Sequence, residues 1–110
     1  MTVSRRAPYL LILTALAAVP VLAETRPIPV DARRGYIQHV QEMAVTVDGI
    51  PMRLAPGSTV RDPQNLIIVP LAMPRYGAWA DYVVDSDGQI FRVWLLTPEE
   101  QAQPRKQSGP

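Results

Sequence analysis

The chain reads as an all-β protein: a single small, curved antiparallel sheet of five to six short strands closing into a barrel, preceded by a signal-peptide helix. Val, Ile, Tyr and Trp are dense between Gly35 and Thr97, and turn signals recur there at short intervals. Two Asp-Gly dipeptides each sit between runs whose apolar residues alternate. An apolar run near the N-terminus follows the basic pair Arg5-Arg6 and stands apart from both. With 110 residues, 47% hydrophobic content, 12 Pro, 6 Gly and no Cys, the composition excludes a disordered chain and a collagen-like repeat, and the length suits one domain.

Residues 1–23 have the form of a secretory signal peptide: Arg5-Arg6 as a basic head, Tyr9 to Ala23 as an apolar body, and Val21-Leu22-Ala23 as the small-residue site before a cut. The competing reading is an uncleaved anchor. It is disfavoured because the run falls short of the ~20 apolar residues a spanning helix needs and Pro20 interrupts it. Cleavage after Ala23 makes Glu24 the new N-terminus, sends the protein to the periplasm or outside the cell, and leaves no stable membrane span. It also removes Arg5 and Arg6, so the formal net charge of +1 turns slightly negative in the mature chain. A nucleic-acid partner is thereby excluded, since it calls for a basic patch or a high domain pI. The lack of Cys excludes a disulfide framework and thiol chemistry.

Residues 24–34, with Pro27, Pro29 and Arg33-Arg34, read as an extended leader. The domain proper spans 35–97, and 98–110 reads as a disordered polar tail. Within the domain, Tyr36 to Gln41 is ambiguous between helix and strand, and β-branched Ile37 and Val40 favour a long first strand. Asp48-Gly49 suits a type I′ turn, in which both central residues take positive φ. That turn pairs Val47 with Ile50, Val45 with Met52 and Met43 with Leu54, all apolar. The opposite face carries Thr46 with Pro51 and Ala44 with Arg53. Pro56-Gly57 marks a bend within the following strand. Leu66-Ile67-Ile68-Val69 is a continuous apolar run, read as a strand covered on both sides and limited by Pro70.

Asp87-Gly88 predicts the last hairpin. A two-residue loop pairs Asp85 with Ile90, Val84 with Phe91, Tyr82 with Val93 and Ala80 with Leu95. Asp81, Val83, Asp85, Arg92 and Trp94 then fall on an outer face, where Asp81 and Arg92 form an exposed diagonal ion pair worth about 0.2–1 kcal/mol. A three-residue loop is rejected because it sets Tyr82 opposite Arg92 and mixes the faces.

Together, Val47-Asp48-Gly49, the stretch from Met52 through Leu54-Ala55-Pro56-Gly57-Ser58-Thr59-Val60 to Asp62, and the closing run from Asp87 to Trp94 resemble small OB-like β-barrel domains of exported bacterial envelope proteins. The resemblance implies a barrel fold and an envelope setting. It implies no functional residue, because many such domains have no assigned activity.

No residues are assigned to catalysis, a cofactor or a metal. Asp85-Ser86-Asp87-Gly88 superficially fits a calcium loop, but aligning its Gly puts Val83 at the first ligand position and Trp94 where a bidentate Glu belongs. His39 is the one histidine, so a multi-His zinc site is excluded. Asp81 and Asp85 share a face without the setting of an acid/base pair. The weakly preferred surface consists of the polar loop Arg61, Asp62 and Asn65, read as the mouth of a barrel, together with Trp79 and Trp94. With Tyr76, those two aromatics form either an apolar patch or packing over the barrel's open end, and packing is the favoured reading. The expected function is that of an exported, non-catalytic β-barrel binding another envelope component, an unidentified protein or glycan. The alternative is an enzyme or enzyme accessory subunit with a site around His39. Burial of both Trp side chains would remove the patch.

Overall fold

The computed structural model describes residues 26–104, so the expected signal peptide and its cleavage site lie outside the described residues. Six strands form one mixed sheet: β1 (Arg33–Gln41), β2 (Ala44–Val47), β3 (Ile50–Arg61), β4 (Ile67–Ile68), β5 (Ala78–Val84) and β6 (Ile90–Leu95). A 3-10 turn, Pro70–Ala72, follows β4, and a short helix α1, Pro98–Ala102, follows β6. The pairings run β2-β1-β5-β6-β3-β4, and a further β2–β3 pairing brings the sheet round into a ring.

The hairpin at Asp48-Gly49 forms as its chemistry requires. Both residues take positive φ, 53° and 82°, and Val47 pairs with Ile50, Thr46 with Pro51, Val45 with Met52 and Ala44 with Arg53. Tyr36 to Gln41 is strand, and β1 begins earlier than the expected domain, at Arg33. A bulge between His39 and Gln41 leaves Val40 exposed while Ile37 is fully buried. Gly35 allows a close approach within this strand: a Cβ there would meet Val47 Cγ1 at 2.5 Å.

β3 is the longest strand, at 12 residues. Its first part pairs with β2, and its second part runs parallel to β6 through Thr59–Arg92, Val60–Val93 and Arg61–Trp94. The register shifts between Leu54 and Thr59, where Gly57 has φ +80°, so the bend expected at Pro56-Gly57 is the place where the strand changes neighbours. The parallel pairing corrects the expectation of a purely antiparallel sheet. Hairpin signals report only on strands adjacent in sequence, and β3 and β6 are not.

Two other expectations change. Leu66 to Val69 is not covered on both sides: only Ile67–Ile68 is strand, it pairs with the end of β3 alone, and Leu66, Ile67 and Val69 are exposed. The run is an edge, and only Ile68 packs on the core. The loop of the last hairpin has three residues, not two. Gly88 N–H donates to Asp85 O (3.0 Å), Asp85 N–H donates to Gln89 O (2.8 Å), and the Asp85 carboxylate accepts from Asp87 and Gln89 N–H. A bulge then skips Phe91, so Val84 meets Ile90 and Val83 meets Arg92, while Tyr82–Val93 and Ala80–Leu95 pair as expected. The bulge thus restores the inner face that a three-residue loop alone would have scrambled.

Inside the ring, Ile37, Val45, Val47, Leu54, Val60, Ala80, Tyr82, Ile90, Val93 and Leu95 form the core, and Met73, just past the 3-10 turn, joins them. The outer face is not uniformly solvated. Asp81, expected at the surface beside Arg92, is 0% exposed and is bound by Arg34 on the neighbouring strand, with Nε to Oδ1 at 2.8 Å and Nη2 to Oδ2 at 3.3 Å. The same guanidinium donates to the carbonyls of Gln101 and Gln103.

Where a polar tail is read from Pro98, the chain instead turns into α1. Thr97 and Glu100 form a reciprocal capping box. Arg26 in the leader grips the Glu100 carboxylate with Nη2 (2.6 Å) and Nε (3.0 Å), and also donates to the carbonyls of Leu95 and Asp62. The leader and the C-terminal helix are therefore fastened over one end of the sheet by two arginines.

Removing Arg34 alone leaves the Asp81 carboxylate buried without its guanidinium. Arg34→Met should therefore lower stability by about 3–5 kcal/mol in a denaturant titration, whereas Arg34→Met combined with Asp81→Leu should recover a major part of that loss. Burial pushes the Glu100 carboxyl upward, but bonds from Arg26 and Thr97 and the Arg26 charge outweigh it, so its pKa is lowered. A depressed folded pKa contributes stability above the unfolded value, about 4.3 for Glu, and that contribution fades as pH falls through the folded pKa. Glu100→Gln should accordingly melt below wild type at pH 7, and the two melting temperatures should converge toward pH 3.

Candidate functional site

Alternation along β3 and β6 sends Val60 and Val93 inward and turns Thr59, Arg61, Arg92 and Trp94 outward. Because Thr59 pairs with Arg92 and Arg61 with Trp94, the two arginines are diagonal neighbours on one face of a parallel pair. With Asn65 from the loop after β3 and Pro27 from the leader, these side chains line a cleft of about 380 Å³. Arg26 places Pro27 there, since its bonds to Leu95 O and Asp62 O carry the leader across the ends of β6 and β3.

Of the residues singled out in the sequence, Arg61, Asn65 and Trp94 meet in this cleft. The Arg61 guanidinium donates from Nη1 to Asn65 O at 2.8 Å, and Asn65 holds a left-handed φ of 69°. Asp62 is a turn residue. Its carboxylate accepts from Gln64 and Leu66 N–H, both at 2.9 Å, which shapes the loop that presents Asn65. Trp79 does not line the cleft. It stands on β5, 44% exposed, edge-on to Tyr36 with centroids 5.5 Å apart, and the Tyr36 hydroxyl donates to Tyr76 O. Trp94 is only 6% exposed. The expected aromatic patch therefore resolves into a surface cluster of Tyr36, Trp79 and Tyr76 and a separate buried indole beneath the cleft.

Thr59, Arg92 and Pro27 belong to the cleft but carry no local signal. Arg92 in particular reads as half of a surface ion pair with Asp81 until the parallel β3–β6 register is known. Its guanidinium instead lies 5.6 Å from the Phe91 ring centroid, a cation–π contact.

The remaining candidates have local structural roles. His39 Nε2 lies 2.9 Å from Glu42 O, across the tight turn in which Glu42 takes φ 48°, and no hydroxyl or carboxylate of the described residues bonds to its ring. Asp81 and Asp85 are occupied by Arg34 and by the hairpin loop, respectively. Among the described residues no three His, Cys, Asp or Glu side chains are grouped as a metal would need, and no helix is long and apolar enough to cross a membrane. A shallower apolar groove lies between Val40, Thr46 and Met52 at the β1–β2–β3 end. Comparison with protein-family models, with curated proteins and with solved structures finds no match, so the chemistry of the cleft is the basis for a functional reading.

The different settings of the two tryptophans are directly measurable. With Trp94→Phe, the remaining Trp79 should emit at long wavelength and be readily quenched by acrylamide; with Trp79→Phe, Trp94 should emit further to the blue and resist quenching. Equal quenching in the two variants would contradict the assigned burial.

Proposed function

We propose that the chain is an exported, non-catalytic binding domain of the bacterial envelope, an OB-like barrel that holds another envelope component against the outer face of β3 and β6. The observation that carries the reading is the cleft itself: three residues from two separate sequence signals, Arg61, Asn65 and Trp94, line it together with Arg92 and Thr59. Such a concave, preformed site with a few convergent polar groups is the usual form of a binding site. The barrel assignment is supported by the strand circuit β1-β2-β3-β6-β5-β1, since OB-like folds are small, partly open five-stranded barrels that bind through one sheet face and its loops. The envelope setting is supported by the signal-like segment before Glu24. The non-catalytic reading is supported by the engagement of His39, Asp81 and Asp85 in local structure.

A photo-crosslinking residue at Thr59, within the cleft, should capture a discrete partner from the envelope fraction, in which the mature chain begins at Glu24. The same probe at Ile50, on the far hairpin, should not, and Arg92→Glu should abolish the Thr59 adduct. Equal capture from both positions, or capture indifferent to Arg92, would count against the assigned surface.

A further inference from the structure

Four arginines on this side of the sheet fall into two kinds. Arg26 and Arg34 are buried and bonded to carboxylates. Arg61 and Arg92 line the cleft, and among the described residues no carboxylate lies within ion-pair distance of either. An arginine offers five N–H donors in a planar fork, and Arg61 directs one of them to Asn65 O. Thr59 adds a hydroxyl between them. No acidic side chain lines the cleft, and the nearest carboxylates along the chain and across the sheet, Asp62 and Asp81, are engaged by the turn N–H groups and by Arg34. At its base, Trp94 is more than nine-tenths buried, and its indole N–H forms no hydrogen bond among the described residues. An indole N–H is a donor only, and Trp94 lines a site already rich in donors.

Surplus donors, two positive charges and a preformed cavity call for a ligand that is acceptor-only and negative. We infer that the cleft binds an oxyanion, a phosphate or carboxylate group carried on a larger molecule, gripped between Arg61 and Arg92 with Thr59 and the Trp94 indole N–H as further donors. This rests on the reading of the outer β3–β6 face as the binding surface and specifies what that surface recognises. The cleft's volume of about 380 Å³ far exceeds the ~30 Å³ share of a water molecule, so it accommodates the group bearing the anion as well as the anion. Arginine suits the role because its fork matches both phosphate and carboxylate oxygens.

The test is a titration of the full chain followed by ¹⁵N NMR of the Trp indole and Arg Nε–H signals, with inorganic phosphate, acetate and chloride at matched ionic strength. Saturable shifts of the Trp94 indole and of Arg61 and Arg92 with phosphate are expected, with the Trp79 indole unmoved. Saturation by acetate instead would assign the anion as a carboxylate. Arg61→Gln or Arg92→Gln should weaken the affinity about 10-fold or more, the scale of a lost hydrogen bond to a charged group, while the core methyl spectrum stays unchanged. Linear shifts with both oxyanions that chloride reproduces would overturn the inference, as would binding unaltered in both variants. If neither oxyanion binds but the Thr59 probe still captures a partner in an Arg92-dependent way, the oxyanion fails and the binding surface stands. If phosphate or acetate binds but the probe captures nothing, the anion site stands and the macromolecular partner fails.

Discussion

One strand has to satisfy two different neighbours. The first half of β3 belongs to a tight hairpin with β2, and its second half lies parallel to β6. A straight strand twisted in the ordinary way would continue along β2 and leave β6 as an edge. Pro56, which has no N–H to contribute to a ladder, and Gly57, free to take φ +80°, give the strand its bend at the point where one pairing ends and the other begins. The ring follows from that bend, and so does the cleft, because it is the β3–β6 pairing that sets Arg61 beside Trp94 and Thr59 beside Arg92.

The same residue type does two opposite things on one sheet. Arg26 and Arg34 each make four hydrogen bonds to protein acceptors, in all two carboxylates and four backbone carbonyls, and become struts. Arg61 and Arg92 are left with donors to spare and become a surface that invites an acceptor. What separates the pairs is the supply of acceptors around them. α1 and its capping residue Glu100 bring carbonyls and a carboxylate to the leader and β1, and nothing comparable reaches the outer face of β3. Desolvation raises the cost of the first kind of site and makes its partners indispensable. Partial solvation keeps the second kind open.

Local chemistry made part of this architecture legible. The Asp48-Gly49 hairpin was readable to the residue because turn type, loop length and apolar alternation all impose one register. The bend at Pro56-Gly57 was readable because Pro and Gly there have few other uses. The inner face of the last hairpin was also readable, though through the wrong loop, since a two-residue loop and a three-residue loop followed by a bulge at Phe91 give the same pairs from Val83 onward. What escaped was non-local. Nothing in the sequence around Thr59 or Arg92 announces a parallel partner, so the cleft was visible only as Arg61, Asn65 and Trp94, without the second arginine. Asp81 reads as a surface carboxylate because the alternation places it outward, and its partner Arg34 is held in turn by the carbonyls of Gln101 and Gln103, in a stretch whose polar composition resembles a free tail. The turn at Glu42-Met43 has neither Gly nor Pro, and His39, which looked like a candidate for chemistry, is bonded across it.

The Arg26 clamp also bears on the order in which the chain comes together. Its acceptors are Asp62, Leu95 and Glu100, the last of them 74 residues further along the sequence. A ribosome or an export channel delivers the chain N-terminus first, so the leader emerges early and must wait, undocked, until almost the whole domain has followed. The cleft wall that Pro27 contributes is thus among the last parts of the molecule to be put in place. A chain stopped short of Glu100 keeps the Asp62 and Leu95 carbonyls but lacks the carboxylate that meets Arg26, so in this fold a fully anchored cleft wall reports a domain made through α1.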